Sequence, residues 1–340
     1  VIIFENCFEY VVSYYGVLKT GAVVVPVSSD IKPGGLRPLL SELEPKAIIS
    51  CSRFERLLVA SDLSCFNINH IILKSPKLNW TIPKSRVTNW GDIIRKDNAS
   101  NQNIDISDTE LSSIIYTSGS TGTPKGVMLS HKNIVSNTLS ICHYLNLSDK
   151  DIQMVVLPFF YVFGKSLLNS HFAVGGSVVI NNKFAFPAVV LKQMAEENVT
   201  GLSGVPSTYA YLLHRSPLEK YRNKLPHLRY CSQAGGHMAH TLKVKLRKTL
   251  PVVVKKVVAF FYKFLSSIIS KIIVSWLTLL VESSSTFHPA NSSLAPPGPE
   301  SILWQCLRRV PLCGRCKTPY GRLTPTPHRW MRSAGLLSNL

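Results

Sequence analysis

The chain has 340 residues, of which 45% are hydrophobic, and a formal net charge of +19. This share of apolar side chains can bury one large or two modest cores, which excludes an intrinsically disordered protein. A basic excess is compatible with nucleic acid or an anionic membrane, but no run of Lys or Arg exceeds two residues and no recognition motif occurs, so nucleic acid is not expected as a partner.

The cysteines indicate a reducing compartment. Most of the eight sit in apolar contexts, such as Cys51 and Cys231, which is typical of reduced thiols in the cytosol and predicts a cytoplasmic location. Cys313 and Cys316 have the spacing of a metal or redox site. Because no second closely spaced pair completes a zinc site, chance explains this pair better.

The first part of the chain alternates between helix and strand patterns. Apolar residues recur at helical spacing over 5–18, and the apolar run 22–26 reads as a buried strand. Helices at 35–43 and 54–60 alternate in the same way with strands at 46–50 and 68–73. This order predicts an α/β fold of layered, mostly parallel sheets flanked by helices. The polar stretch 75–106 is expected to be an irregular surface connection.

Residues 113–131 read as a strand, a phosphate-binding loop and a second strand. Glycines let backbone N–H groups approach an anion, Ser and Thr add hydroxyl donors, and Lys125 adds a mobile positive charge. The order fits neither the Walker pattern, because Gly126 follows the lysine, nor the dinucleotide fingerprint. An ordinary surface loop is the alternative. The residues predicted to bind phosphate are Thr117, Ser118, Gly119, Ser120, Thr121, Gly122, Thr123 and Lys125.

At residues 116–126 the sequence resembles the signature loop of the adenylate-forming (AMP-binding) superfamily, which includes acyl-CoA synthetases, peptide-synthetase adenylation domains and luciferases. Segments 5–26 and 204–207 are also similar to segments of that family. The resemblance implies ATP-dependent activation of a small-molecule carboxylic acid as acyl-AMP, followed by thioester formation with CoA. It implies ATP, Mg²⁺ and CoA as cofactors and co-substrates. Lys125 would be the catalytic phosphate contact, and Thr117 would meet Mg²⁺ through the phosphates.

A predicted strand, 152–157, ends in an aromatic segment closed by Gly164. Such a segment, beyond the carboxyl edge of a parallel sheet, is either a substrate pocket or a set of core aromatics. The resemblance favours the pocket and implies that Tyr161, Val162 and Gly164 line the acyl site. Tyr161 stands where the family carries His, and a tyrosine cannot become cationic near neutral pH.

The alternation then continues, with helices predicted at 165–173, 187–197 and 206–214 and strands at 177–181, 199–205 and 228–233. The last strand leads into Ala234, Gly235 and Gly236. The resemblance implies that this turn lies against the adenine and ribose of the nucleotide, because bare backbone leaves room for a flat base.

The resemblance ceases near Val254, which predicts a partial AMP-binding domain over 1–254 and a non-family tail over 255–340. The family's later Glu turn, ribose Asp and lid Lys have no counterpart, since Asp151 is the last aspartate. The resemblance therefore implies a catalytically incomplete ligase. A non-catalytic nucleotide-binding or membrane-associated protein is the alternative. Aberrant coding, an interfacial or packed helix, and a membrane span over 257–281 remain open for the tail.

Overall fold

The computed structural model describes residues 1–78, 86–95, 104–117 and 124–250, and the backbone of two short strands near 255 and 322. The helices are α1 Phe8–Lys19, α2 Pro33–Leu43, α3 Glu55–Ala60, α4 Trp90–Arg95, α5 His131–Leu145, α6 Val162–Ala173, α7 Pro187–Glu196, α8 Pro206–Arg215 and α9 His240–Thr249, with a longer 3-10 helix at Leu218–Lys224. The strands are β1 Ala47–Cys51, β2 His70–Lys74, β3 Arg86–Asn89, β4 Leu111–Thr117, β5 Lys125–Ser130, β6 Ile152–Val155, β7 Ser177–Ile180, β8 Gly201–Gly204, β9 Tyr230–Gln233, β10 Val253–Lys256 and β11 Arg322–Leu323.

The first sheet is parallel, with the order β1-β2-β3. Single bridges extend it beyond β1, because Ile2 pairs with both Ile49 and Pro26, and Val24 pairs with Ser113 of β4. The predicted strand at 22–26 is therefore present as bridged, extended backbone between the first sheet and the antiparallel β4–β5 hairpin. This chain of contacts attaches the hairpin to the sheet.

The second sheet has the order β10-β9-β8-β6-β7-β11, and all of its pairs are parallel except β7 with β11. Each parallel connection passes through a helix. The connection from β6 to β7 steps one way along the sheet, whereas those from β7 to β8, β9 and β10 step the other way. With right-handed crossovers, α6 must then lie on one face, and α7, α8 and α9 on the other.

The buried side chains confirm this arrangement of layers. One cluster joins α2 and α3 to the first sheet. A second cluster places α1 and α6 between the two sheets, and a third joins α7, α8 and α9 to the far face of the second sheet. The layered α/β fold with mostly parallel sheets is thus confirmed. The sheets bury apolar side chains on both faces, as the continuous apolar strands predicted.

Two sequence-based interpretations need correction. The stretch 75–106 is not irregular throughout, because it contains β3 and α4, and Trp90 and Ile93 of α4 are buried. The helix α9 follows the glycine turn after β9, where no element was predicted. Most of the tail, including the possible membrane segment 257–281, lies outside the described residues. Within the described residues, no helix combines the length and apolar character that spanning a membrane requires.

Candidate functional site

The β4–β5 hairpin presents both ends of the predicted phosphate loop. Thr117 is paired directly with Lys125 in the ladder, and the Thr117 Oγ1 lies 3.5 Å from the Lys125 carbonyl oxygen. The Lys125 side chain is exposed to solvent. The loop residues Ser118, Gly119, Ser120, Thr121, Gly122 and Thr123 lie outside the described residues. A flexible cation and a hydroxyl thus stand at the base of the loop, where they could contact phosphate oxygens together.

The hairpin is held in place at both of its strands. The Ser113 hydroxyl donates to the carbonyl of Val24 at 2.9 Å. At the other end, Ser130 caps α5 in a reciprocal capping box with Asn133. Gly126 is required by packing, since a Cβ there would lie 2.8 Å from the Ile114 side chain. These contacts position the two ends of the loop independently of any ligand.

The turns after β8 and β9 meet at the carboxyl edge of the second sheet. Gly235 has a φ of +77°, and a Cβ at Gly235 would lie 3.1 Å from Val205 in the neighbouring turn. The Gln233 side-chain amide donates to the carbonyl of Gly236 at 2.7 Å, which closes the turn. Ala234 is buried, whereas the two glycines are exposed. Within this turn, Gly235 and Gly236 thus expose their backbone to solvent, whereas Ala234 does not.

The turn after β6 is fixed by Asn6, which the sequence motif contained but to which no role was assigned. The Asn6 amide donates to the carbonyl of Leu157 at 2.8 Å and accepts from the backbone N–H of Phe159 at 2.7 Å. Within this turn, Tyr161 is 53% exposed, so its ring is available to a ligand. Gly164 is buried inside α6, where a Cβ would lie 2.1 Å from the Pro158 carbonyl oxygen. Gly164 acts through close packing.

Val162 lines a small cavity beneath the hairpin, between α1, α5 and α6. Its walls include Tyr14, Ile115, Leu129 and Lys165. The volume of about 20 Å³ has room for roughly one water molecule. Val162 therefore shares this cavity with Ile115 and Leu129 of the β4–β5 hairpin. In this conformation the cavity does not have the size of a pocket for an organic acid.

Lys165 is the unexpected residue of this cavity, since fully buried lysines are rare. Its ammonium group contacts the Tyr10 hydroxyl and lies 3.3 Å from the centre of the Tyr14 ring. Burial holds the pKa of Lys165 well below its ordinary value. No carboxylate among the described residues forms an ion pair with Lys165. The sequence pattern gave no sign of this burial, because it placed Lys165 at the start of a helix.

The described residues alone do not form a metal site, so binding of a metal ion here would require the nucleotide as well. No group of three or more His, Cys, Asp or Glu side chains is placed there to hold a metal. The Thr117 hydroxyl at the base of the loop is a suitable single oxygen ligand for Mg²⁺. The other ligands of Mg²⁺ in such sites are usually phosphate oxygens of the nucleotide and water molecules. These residues therefore fit Mg²⁺ only as part of a metal–nucleotide complex.

Comparison with known proteins identifies the family. The model of the AMP-binding enzymes matches residues 1–261. The chain is 26% identical over 272 residues to a long-chain-fatty-acid–CoA ligase of Bacillus subtilis, covering 73% of this chain and 48% of the relative. It is 30% identical over 250 residues to a probable CoA ligase of Humulus lupulus, covering 72% and 46%. The chain thus spans about half the length of the curated relatives it matches.

Solved structures agree on the fold. An anthranilate CoA ligase in complex with anthranoyl-AMP has a TM-score of 0.67 at 22% identity, over 74% of this chain and 48% of that one. This structural similarity shows only that the fold is shared. The family match, in contrast, includes the β4–β5 hairpin, the aromatic turn after β6 and the glycine turn after β9. On these grounds the chain belongs to the AMP-binding enzyme family.

Proposed function

We propose that this chain forms the nucleotide-binding part of a ligase that activates a carboxylic acid as acyl-AMP and passes the acyl group to CoA. The observation that carries the proposal is the β4–β5 hairpin, which pairs Thr117 with Lys125 at the base of a Gly/Ser/Thr loop. The names of the relatives, which are CoA ligases, support the same reaction. The relatives' names do not agree on one acid, so the proposal extends to the class of carboxylic acids.

The residues have separate roles in this proposal. Lys125 and the loop residues 117–123 bind the phosphates of ATP, and Thr117 also contacts the accompanying Mg²⁺. Gly235 and Gly236 lie against the adenine and ribose. Tyr161 and Val162 form one wall of the acyl site, and Gly164 holds that wall against Pro158. The five described free cysteines support a reducing, cytoplasmic setting.

A second candidate is nucleotide binding without turnover. The observation in its favour is the cavity lined by Val162 and Lys165, whose volume of about 20 Å³ has room for roughly one water molecule and not for an organic acid. A nucleotide site without an open acyl pocket would bind ATP and leave it uncleaved. The 1–254 domain boundary remains a prediction in either case.

Calorimetric titration of the full chain with Mg·ATP tests the nucleotide site. Hydrogen bonds to charged groups contribute about 1.5–3 kcal/mol, so Lys125→Ala should weaken ATP binding roughly tenfold or more. The matched control is Lys150→Ala, because Lys150 is also an exposed lysine but lies beyond the far end of α5. Equal affinity of Lys125→Ala and the unchanged protein would contradict the assignment of the loop.

Pyrophosphate release separates the two candidates. The unchanged protein is mixed with Mg·ATP, CoA and a long-chain fatty acid or an aryl acid. Acid-dependent release that disappears in Lys125→Ala supports the ligase. Binding of ATP without release supports the non-catalytic alternative.

A further inference from the structure

The helices on the far face of the second sheet carry most of the basic excess of the described fold. Residues 183–250 contain 11 Lys and Arg against 3 Glu, a net charge of +8. Residues 1–182 contain 16 Lys and Arg against 14 Asp and Glu, a net charge of +2. We call α7, α8, the 3-10 helix Leu218–Lys224 and α9 the helical layer. Its charge differs sharply from that of the rest.

The helical layer has one continuous outer face. Its inner face is buried on the sheet through residues such as Leu191, Leu212 and Leu246. α8 contacts α7 on one side and α9 on the other. Because each helix follows a parallel strand, the three helices run side by side in the same direction. The beginnings of the three helices therefore lie at the same edge of the layer.

Four exposed apolar side chains, which we call the apolar row, lie near the beginnings of these helices. Phe186 is 64% exposed, Val189 43%, Tyr211 37% and Val244 36%. These residues lie between the N-cap and the sixth residue of their helices. The Tyr211 hydroxyl donates to the carbonyl of Ala185 at 3.0 Å, which fixes α8 against the turn before α7. This hydrogen bond keeps Tyr211 next to the turn that carries Phe186.

Phe186 is the least expected member of this row. It occupies the N-cap of α7 and makes no side-chain cap hydrogen bond. Ser, Thr, Asp or Asn at an N-cap stabilises a helix by about 1 kcal/mol relative to an apolar residue. A large, exposed aromatic side chain at this position gives up that stabilisation. Phe186 therefore does not stabilise the beginning of α7 in the way that a polar N-cap residue would.

Exposed cations accompany the apolar row. Across the described parts of the chain, the ion pairs include none of Arg215, Lys220, Arg222, Lys245, Arg247 and Lys248. The three from Lys245 onwards occupy the second half of α9, beyond Val244. Apolar and aromatic side chains beside Lys and Arg are typical of surfaces that rest at the interface of an anionic bilayer.

We propose that the outer face of the helical layer docks on an anionic membrane surface. The apolar row enters the headgroup region and the cations bind lipid phosphates and carboxylates. A nucleic acid fits this face less well, because two of the four apolar residues are valines, which offer no ring for a base to stack on. This inference goes beyond the proposed function and does not depend on ATP binding.

Co-sedimentation of the full chain with vesicles tests the proposal. We expect binding to vesicles of phosphatidylserine and phosphatidylcholine in equal parts, and little binding to pure phosphatidylcholine. Each Lys or Arg near an anionic surface contributes on the order of a fivefold increase in binding, so Lys245→Glu should weaken binding at least about fivefold. Lys150→Glu is the matched control, since Lys150 is exposed but outside the helical layer.

Phe186→Ser tests the apolar row without a risk of unfolding, because serine is a favourable N-cap residue. We expect roughly tenfold weaker binding to the mixed vesicles with an unchanged or higher melting temperature. Val59→Ser is the control, since Val59 is 48% exposed on α3, on the opposite side of the fold. Equal binding to both vesicle types, no effect of either layer variant, or binding to duplex RNA in place of vesicles would overturn the proposal.

Discussion

The ammonium nitrogen of Lys165 lies 3.3 Å from the centre of the Tyr14 ring. It also contacts the Tyr10 hydroxyl, which donates to the carbonyl of Phe159 at 3.0 Å. Lys165 therefore connects α6 to α1 between the two sheets. The aromatic faces provide some attraction to a cation, but they do not replace the water that burial removes.

Lys165→Met should stabilise the protein, and the gain should be larger at lower pH. Because burial lowers the folded-state pKa of Lys165 below the unfolded value of 10.5, the unfolded chain binds more protons between the two pKa values. The protein is then most stable above pH 10.5 and becomes less stable as the pH drops towards the folded-state pKa. Over this range the folding equilibrium constant decreases by up to about tenfold for each pH unit. Chemical denaturation at several pH values measures this difference, and an equal gain at all pH values would contradict a depressed pKa.

His171 should add a second acid-sensitive contribution in a lower window. Burial lowers the pKa of His171 from 6.5 to about 4. Between these values the unfolded chain binds the extra proton, so stability falls as pH drops through the window. His171→Gln should flatten the decrease in melting temperature between pH 6.5 and pH 4. An equal decrease in melting temperature over this window for His171→Gln and the unchanged protein would contradict the lowered pKa of His171.

Gly164→Ala should be strongly destabilising, because the new Cβ would lie 2.1 Å from the Pro158 carbonyl oxygen. We expect a loss of about 3 kcal/mol or more, as for other cases of overpacking with a backbone shift. Gly34→Ala is the matched control, since α2 has open space at Gly34. There the higher helix propensity of alanine should stabilise by up to about 1 kcal/mol. Urea unfolding of both variants gives the comparison.

Asn6→Ala should destabilise the turn that presents Tyr161. The substitution leaves the carbonyl of Leu157 and the N–H of Phe159 without their partner, and each unsatisfied buried group costs about 1–3 kcal/mol. Asn6→Asp should not rescue stability, because its second oxygen would face the Leu157 carbonyl. The exposed Asn223→Ala is the control. A melting temperature of Asn6→Ala equal to that of the control would show that the turn holds itself.

Local patterns were sufficient to predict much of this fold. The helical spacing around α1 and the apolar runs of β1 and β6 gave the correct elements, because their buried faces are repeated along the sequence. The strand–loop–strand order around the predicted phosphate loop was also correct, whereas the direct pairing of Thr117 with Lys125 came from the structure. The α4 helix was missed because only Trp90 and Ile93 carry its buried face, within otherwise polar surroundings.

Contacts across large sequence separations could not be predicted in this way. Asn6 and Leu157 are 151 positions apart, and no local pattern relates them. The burial of Lys165 was hidden for the same reason, because Tyr10 and Tyr14 belong to a different layer. The contact between Gly235 and Val205 required the order of the strands in the second sheet. Sequence motifs thus named candidate site residues but did not show which distant contacts hold them in place.

The position of α1 between the two sheets has a consequence for the order of folding. Residues Glu9 to Ser13 and their neighbours are buried on almost every side, yet β6 of the second sheet, which begins at Ile152, and α6, which begins at Val162, come much later in the chain. During synthesis the helix therefore leaves the ribosome with an uncovered apolar surface. Such high contact order slows folding and exposes the nascent chain to aggregation. Chaperone demand should accordingly be greatest before α6 has been synthesised.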